Sequence, residues 1–114
     1  MGLRQERLAD EIRDLIAGCF LGGQMGDPRL ESVTITAVKL SPDLQLATVY
    51  FRIYGEVDDG MIQRATRGLE SAGGFFRKRL ADALDIRRIP SLRFFYDESI
   101  ERGARIEKLL GDLD

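Results

Sequence analysis

Between residues 58 and 84 the apolar side chains Ile62, Ala65, Leu69, Ala72, Phe76, Leu80 and Ala83 recur at steps of 3, 4, 3, 4, 4 and 3. That is the period of one helical face turned toward a core. The stripe crosses two adjacent glycines, Gly73 and Gly74, without losing phase. Each glycine inside a helix costs about 1 kcal/mol relative to alanine, so the pair weakens a continuous helix at one point. A flexible linker has no need to hold phase. A kink does, because two helical pieces stay on one surface while the chain axis changes between them. The chain must therefore lay a broken helix across a single apolar layer.

The flanking segments supply that layer. Residues 3–20 place Leu8, Ile12, Leu15, Ile16, Cys19 and Phe20 three and four apart, an amphipathic helix with Arg4, Arg7, Glu11 and Asp14 off its stripe. Cys19 reads as a small buried hydrophobe. Glycines in GCFLGGQMGDP end this helix. VTITAVKL (33–40) alternates, with Val33, Ile35 and Ala37 pointing one way and Thr34, Thr36 and Val38 the other. SPDL is a turn, and LATVYFRIY (46–54) is a second strand antiparallel to the first. Tyr50 and Tyr54 share a face of it, which suggests a platform, and read first as sheet-covering core residues. Pro90 closes the helical region, LRFFY (92–96) is a third strand, and SIERGARIEKLL (99–110) is a last helix. Its inward side is expected to be Ile100, Gly103, Ile106 and Leu110, with Asp97 and Ser99 as capping candidates.

The order α-β-β-α(kink)α-β-α predicts an α+β fold over residues 1–114, a three-stranded sheet with helices on one face. It is the order of the type II K-homology (KH) RNA-binding fold, an analogy of topology that carries no function by itself.

Several chemistries are excluded by inventory. There is no histidine and one cysteine, so thiolate–imidazole catalysis, an ordinary zinc site and an internal disulfide have no residues to use within one chain. Asp58-Asp59 and Asp97-Glu98 read as helix starts, and Glu101 and Glu107 as solvent-facing. No catalytic constellation emerges, so no enzyme activity, cofactor, metal or small-molecule substrate is expected. No apolar run approaches the ~20 residues of a membrane span. The first fifteen residues are too charged for a secretory signal, so the expected compartment is the cytoplasm.

Charge is distributed unevenly. The net charge of −2 and pI near 5.2 argue against a nucleic-acid binder taken whole. Residues 61–93, however, carry Arg64, Arg67, Arg77, Lys78, Arg79, Arg87, Arg88 and Arg93 against Glu70, Asp82 and Asp85, a local +5. A polyanion docks to local charge. Composition leaves open both a docking surface and a solvated helix face.

KH modules clamp nucleic-acid backbone with a GXXG loop between two helices. The literal GXXG here, Gly23-Gln24-Met25-Gly26, follows the first helix and reads as a structural loop. The place between the helices holds Ala72-Gly73-Gly74. Small residues admit a close phosphate, and a helix start offers free N–H groups. Arg77 and Lys78 follow within about a turn, Lys78 opposite the core and Arg77 on its flank. Arg87, Arg88, Arg4 and Arg7 join them as candidates if the fold places them on one face. The competing explanation is that Ala72-Gly73-Gly74 permits close helix packing, that the cations are surface charge, and that Phe75 packs at the rim of the core. Gly68, one more glycine ahead of the kink, is expected to loosen its helix.

Six segments in order carry a family resemblance: DPRL (27–30), VTITAVKLSPDL (33–44), ATVYF (47–51), LESAGGFFRKRLA (69–81), IRRIPSLRFFYDES (86–99) and GARIEKLL (103–110). With RQERLADEIRDLIA (4–17) ahead of them, they resemble ribosome-binding factor A over nearly the whole chain. GGQMG lengthens the loop before DPRL relative to that family. The resemblance implies a type II KH-like fold in which a kinked alanine-x-glycine segment, here Ala72-Gly73-Gly74, replaces GXXG. It implies a non-enzymatic assembly factor, expected to act as a monomer. Such a factor binds the small ribosomal subunit, assists late maturation and processing of its rRNA, and supports growth in the cold. Arg77 matches the family's basic position after the kink. Two other functions remain open: a free-standing KH-like binder of single-stranded RNA, and a protein-interaction domain whose basic face meets an acidic partner.

Overall fold

A computed structural model describes residues 2–21 and 25–112, apart from the side chain of Leu3. The elements run α1 (Gly2–Gly18), β1 (Val33–Leu40), β2 (Leu46–Ile53), α2 (Asp59–Ser71), α3 (Gly73–Ala83), β3 (Ser91–Tyr96) and α4 (Ser99–Asp112), with a 3-10 turn at Pro28–Leu30. The architecture is α+β, as the periodicities predict. Strand order is β1-β2-β3. β1 and β2 are antiparallel, from Val33↔Ile53 to Leu40↔Ala47. β3 runs parallel to β2, from Leu46↔Ser91 to Phe51↔Tyr96. A parallel neighbour needs a crossover, and α2 with α3 provides it.

The core lies between the sheet and α1, α2 and α3. Ile12, Ile16 and Cys19 from α1, Ala47, Val49 and Phe51 from β2, Leu69 from α2, and Phe76 and Leu80 from α3 are all at most 1 % exposed. Each large side chain among them contributes about 1.5–3 kcal/mol by leaving water. Asp58 caps α2, its carboxylate accepting from the Met61 amide at 2.8 Å. No helix among the described residues is long and apolar enough to cross a membrane.

The kink occupies one residue. Ala72 sits between α2 and α3 at φ −85°, ψ 0°. Its N–H donates to the carbonyls of Gly68 and Leu69, at 3.0 and 3.1 Å, and its own carbonyl accepts from Phe76 at 3.0 Å. The apolar stripe continues through it from Ala65 and Leu69 to Phe76 and Leu80. It closes on half-buried Leu84, not on Ala83, which is exposed because α3 ends there.

Four expectations are corrected. A bulge between Ile35 and Ala37 inserts a residue into β1 and reverses its phase, so Val38 is buried and Ala37 faces the other way. Neither tyrosine joins the core: Tyr50 is half-buried on the sheet face opposite Val49 and Phe51, and Tyr54 lies past the end of β2 and is 78 % exposed. α4 has no buried residue, and Ile100, Ile106 and Leu110 face solvent. Its tie to the sheet is polar, the Arg52–Glu101 pair at 2.7 Å in its first turn. Gly68 is the fourth: it is buried in a close contact, described next, and does not loosen α2.

Candidate nucleic-acid interface

The kink presents an open surface. A Cβ built on Gly73 or Gly74 meets nothing within 4 Å, and neither residue has a positive φ. Packing therefore does not require these glycines. The close approach is one turn earlier, at Gly68, where a Cβ would stand 3.0 Å from Leu30 Cδ2 and 3.2 Å from Arg29 Cβ. Gly68 lets the 3-10 turn Pro28–Leu30 press against α2, held by Asp27, which caps the turn and pairs with Arg29 at 2.7 Å. That hydrogen-bonded pair holds the Asp27 carboxyl below the usual carboxylate range. Close helix packing accounts for Gly68; it does not account for the Gly73-Gly74 pair.

Beside the kink, Met25, Asp27, Leu30, Gly68, Ser71, Ala72 and Phe75 line a shallow depression. Phe75 forms its wall, 46 % exposed, while Phe76 beside it is fully buried. Arg77 and Lys78 stand exposed on the following turn of α3. Among the described residues, the ion pairs use only Arg13, Arg29 and Arg52. All eight cations of residues 61–93 are outside them.

The remaining candidates gather elsewhere. Arg4, Arg87 and Arg88 line one cleft with Leu8, Leu44, Asp43 and Asp85. Asp43 stays ionised there: its carboxylate accepts from the Ser41 hydroxyl at 2.6 Å and the Gln45 amide at 3.1 Å, which lowers its pKa. In this cleft two carboxylates face three guanidinium groups. Arg7 is exposed one turn along α1, outside that lining. The sequence-derived cations thus fall into separate groups. The Gly23-Gln24-Met25-Gly26 segment lies partly outside the described residues; its Gly26 has φ +66°, a turn conformation.

Sequence reasoning missed the loop side of the depression, because Met25, Asp27 and Leu30 reach the kink only through tertiary packing. The available clue was Gly68, a glycine at a core position of the stripe.

Cys19 is inert by environment. Burial pushes its thiol above the usual range, and its Sγ donates to the Leu15 carbonyl at 3.3 Å.

Comparison with known proteins converges on one family. The family model described as "Ribosome-binding factor A" matches residues 4–110. The ribosome-binding factor A of Geobacter sulfurreducens is 40 % identical over 111 residues, 97 % of this chain and 92 % of that protein. The crystal structure of ribosome-binding factor A from Thermus thermophilus superimposes with a TM-score of 0.66 at 27 % identity, covering 81 % of this chain and 93 % of that one. A homology model of the Thermus thermophilus factor, fitted into the cryo-EM map of its complex with the 30S subunit, gives 0.63 at 29 % identity, with 82 % and 96 % covered.

Proposed function

The chain belongs to the ribosome-binding factor A family, and on that basis we propose that it binds the small ribosomal subunit as a non-enzymatic assembly factor. It holds an immature rRNA conformation until late maturation and processing proceed, a role that matters most in the cold, where misfolded RNA escapes slowly. It works as a cytoplasmic monomer, with residues 1–114 acting as one KH-like RNA-binding domain. The observation that carries the site is the open kink: two glycines with bare space around them, followed by Arg77 and Lys78 outside every described ion pair. Backbone without side chains lets a phosphate come close, and unneutralised cations hold it there. Arg4, Arg87 and Arg88 make a second basic cleft apart from the kink, with Arg7 exposed outside its lining.

Sucrose-gradient fractionation of a lysate tests this reading. The protein is expected with free small subunits and not with mature ribosomes. Arg77→Ala with Lys78→Ala should move it toward the top of the gradient as salt rises; sedimentation unchanged across salt would sink the site assignment.

A further inference from the structure

The helices cover one face of the sheet, and the pairing registers define what the other face carries. One row across the three strands is Lys39–Thr48–Arg93, and the next is Ala37–Tyr50–Phe95. Phe95 is 49 % exposed, and Lys39 and Arg93 are exposed. The Tyr50 and Phe95 rings lie side by side, centroids 6.5 Å apart and tilted by 37°. Lys39 Nζ stands 5.6 Å over the Tyr50 ring, so the free ring of the pair is Phe95. Arg93 is two residues from Phe95 on the same strand face, about 7 Å away by the strand rise. The carboxylates at the far end of this face are already engaged. Glu101 takes both guanidinium nitrogens of Arg52, at 2.7 and 2.9 Å, and Asp97 accepts from Thr36 Oγ1 at 2.7 Å.

We propose that this open sheet face is a second RNA-binding surface, taking an unpaired stretch of RNA with a base stacked on Phe95 beside Tyr50 and its phosphates on Lys39 and Arg93. Flat aromatic rings next to unpaired cations on an uncovered sheet are the combination that single-stranded RNA uses, a π-face for the base and charge for the backbone. A second copy of the chain fits worse. A two-fold pairing would set one cationic face against another, while Glu101 and Asp97 at its end are already engaged by Arg52 and Thr36. The site is distinct from the kink, which lies on the helical side, and it does not depend on the ribosome.

The test is fluorescence anisotropy with labelled oligouridylate and oligoadenylate at low salt. Wild type should bind, and Phe95→Ala should weaken binding about tenfold. Phe95→Leu keeps apolar bulk for the strand and should weaken it nearly as much. Lys39→Gln and Arg93→Gln should each flatten the dependence of log K on log salt by about 0.7. Folded Phe95→Leu protein that binds like wild type overturns the proposal. So does a lack of binding to either oligonucleotide, or a concentration-dependent dimer that Phe95→Ala abolishes. Because the probe is free RNA, such a failure leaves small-subunit association in the gradient untouched and separates the two surfaces.

Discussion

At Gly68 an added Cβ would press on Leu30 and Arg29, whereas at Gly73 and Gly74 it would enter open space. The three glycines lie within seven residues of one broken helix, yet substitution by alanine should act in opposite directions. Gly73→Ala and Gly74→Ala should each stabilise the fold by about 0.5–1 kcal/mol, through helix propensity and a less disordered unfolded chain. In a domain of this size that is a rise in Tm of a few degrees, and thermal unfolding reads it directly. On the proposed binding site, the same two variants should weaken small-subunit binding, because each added Cβ would occupy the space now open beside the kink. Gly68→Ala should lower Tm instead, since overpacking against buried Leu30 costs about 1–3 kcal/mol and exceeds the propensity gain. A second residue-scale effect concerns Asp97. Hydrogen bonds from Ser99, then from Thr36, hold its carboxyl below the usual range, with Arg52 adding to the pull. The folded state thus gives up this proton more readily than the unfolded chain. The stabilisation is fully present above the unfolded value of about 3.9, and falls away as pH drops through it toward the folded value. Acid titration of Asp97→Asn should show a shallower loss of stability below pH about 4 than wild type; parallel curves would deny the coupling.

The elements differ in what holds them. α1, α2 and α3 each bury an apolar stripe against the sheet, while α4 is tied at its first turn by Arg52 to Glu101 and buries none of its described side chains. Isolated helices of this length are marginal in water. Amide exchange should therefore separate them by mass spectrometry. α4 amides should exchange far faster than those around Leu69 and Phe76, whose opening approaches global unfolding. Equal protection would mean that something covers α4 in solution. Helical period was legible in SIERGARIEKLL, but its inward side was not, because periodicity shows that a helix has an apolar face without showing that the fold has room for it. β1 makes the same point more sharply. Alternation from Val33 onward assigned Val38 to the wrong face, since a one-residue bulge is set by pairing with β2 and leaves no mark in the alternation.

For the whole molecule, net charge is a poor guide. A chain at −2 leaves the cations of residues 61–93 outside every described ion pair while Arg13, Arg29 and Arg52 absorb nearby carboxylates. Association with small subunits should fall steeply with salt despite the acidic pI, and Arg77→Ala with Lys78→Ala should reduce the log–log slope by about 0.7–0.9 per lost phosphate contact. A slope identical to wild type would place the contact elsewhere. Element order, the kink and the buried stripe of α2 and α3 were readable from residue spacing, because the period of apolar side chains is a local property of the chain. So were Arg77 and Lys78, two residues fixed to the same helix turn. Tertiary structure alone decided that Gly68 is a packing glycine and Gly73-Gly74 an open surface, that Arg4 meets Arg87 and Arg88 in a separate cleft, and that Tyr50 pairs with Phe95 instead of Tyr54. Each of these is a contact between segments tens of residues apart, set by strand register and by which face of the sheet the helices leave uncovered.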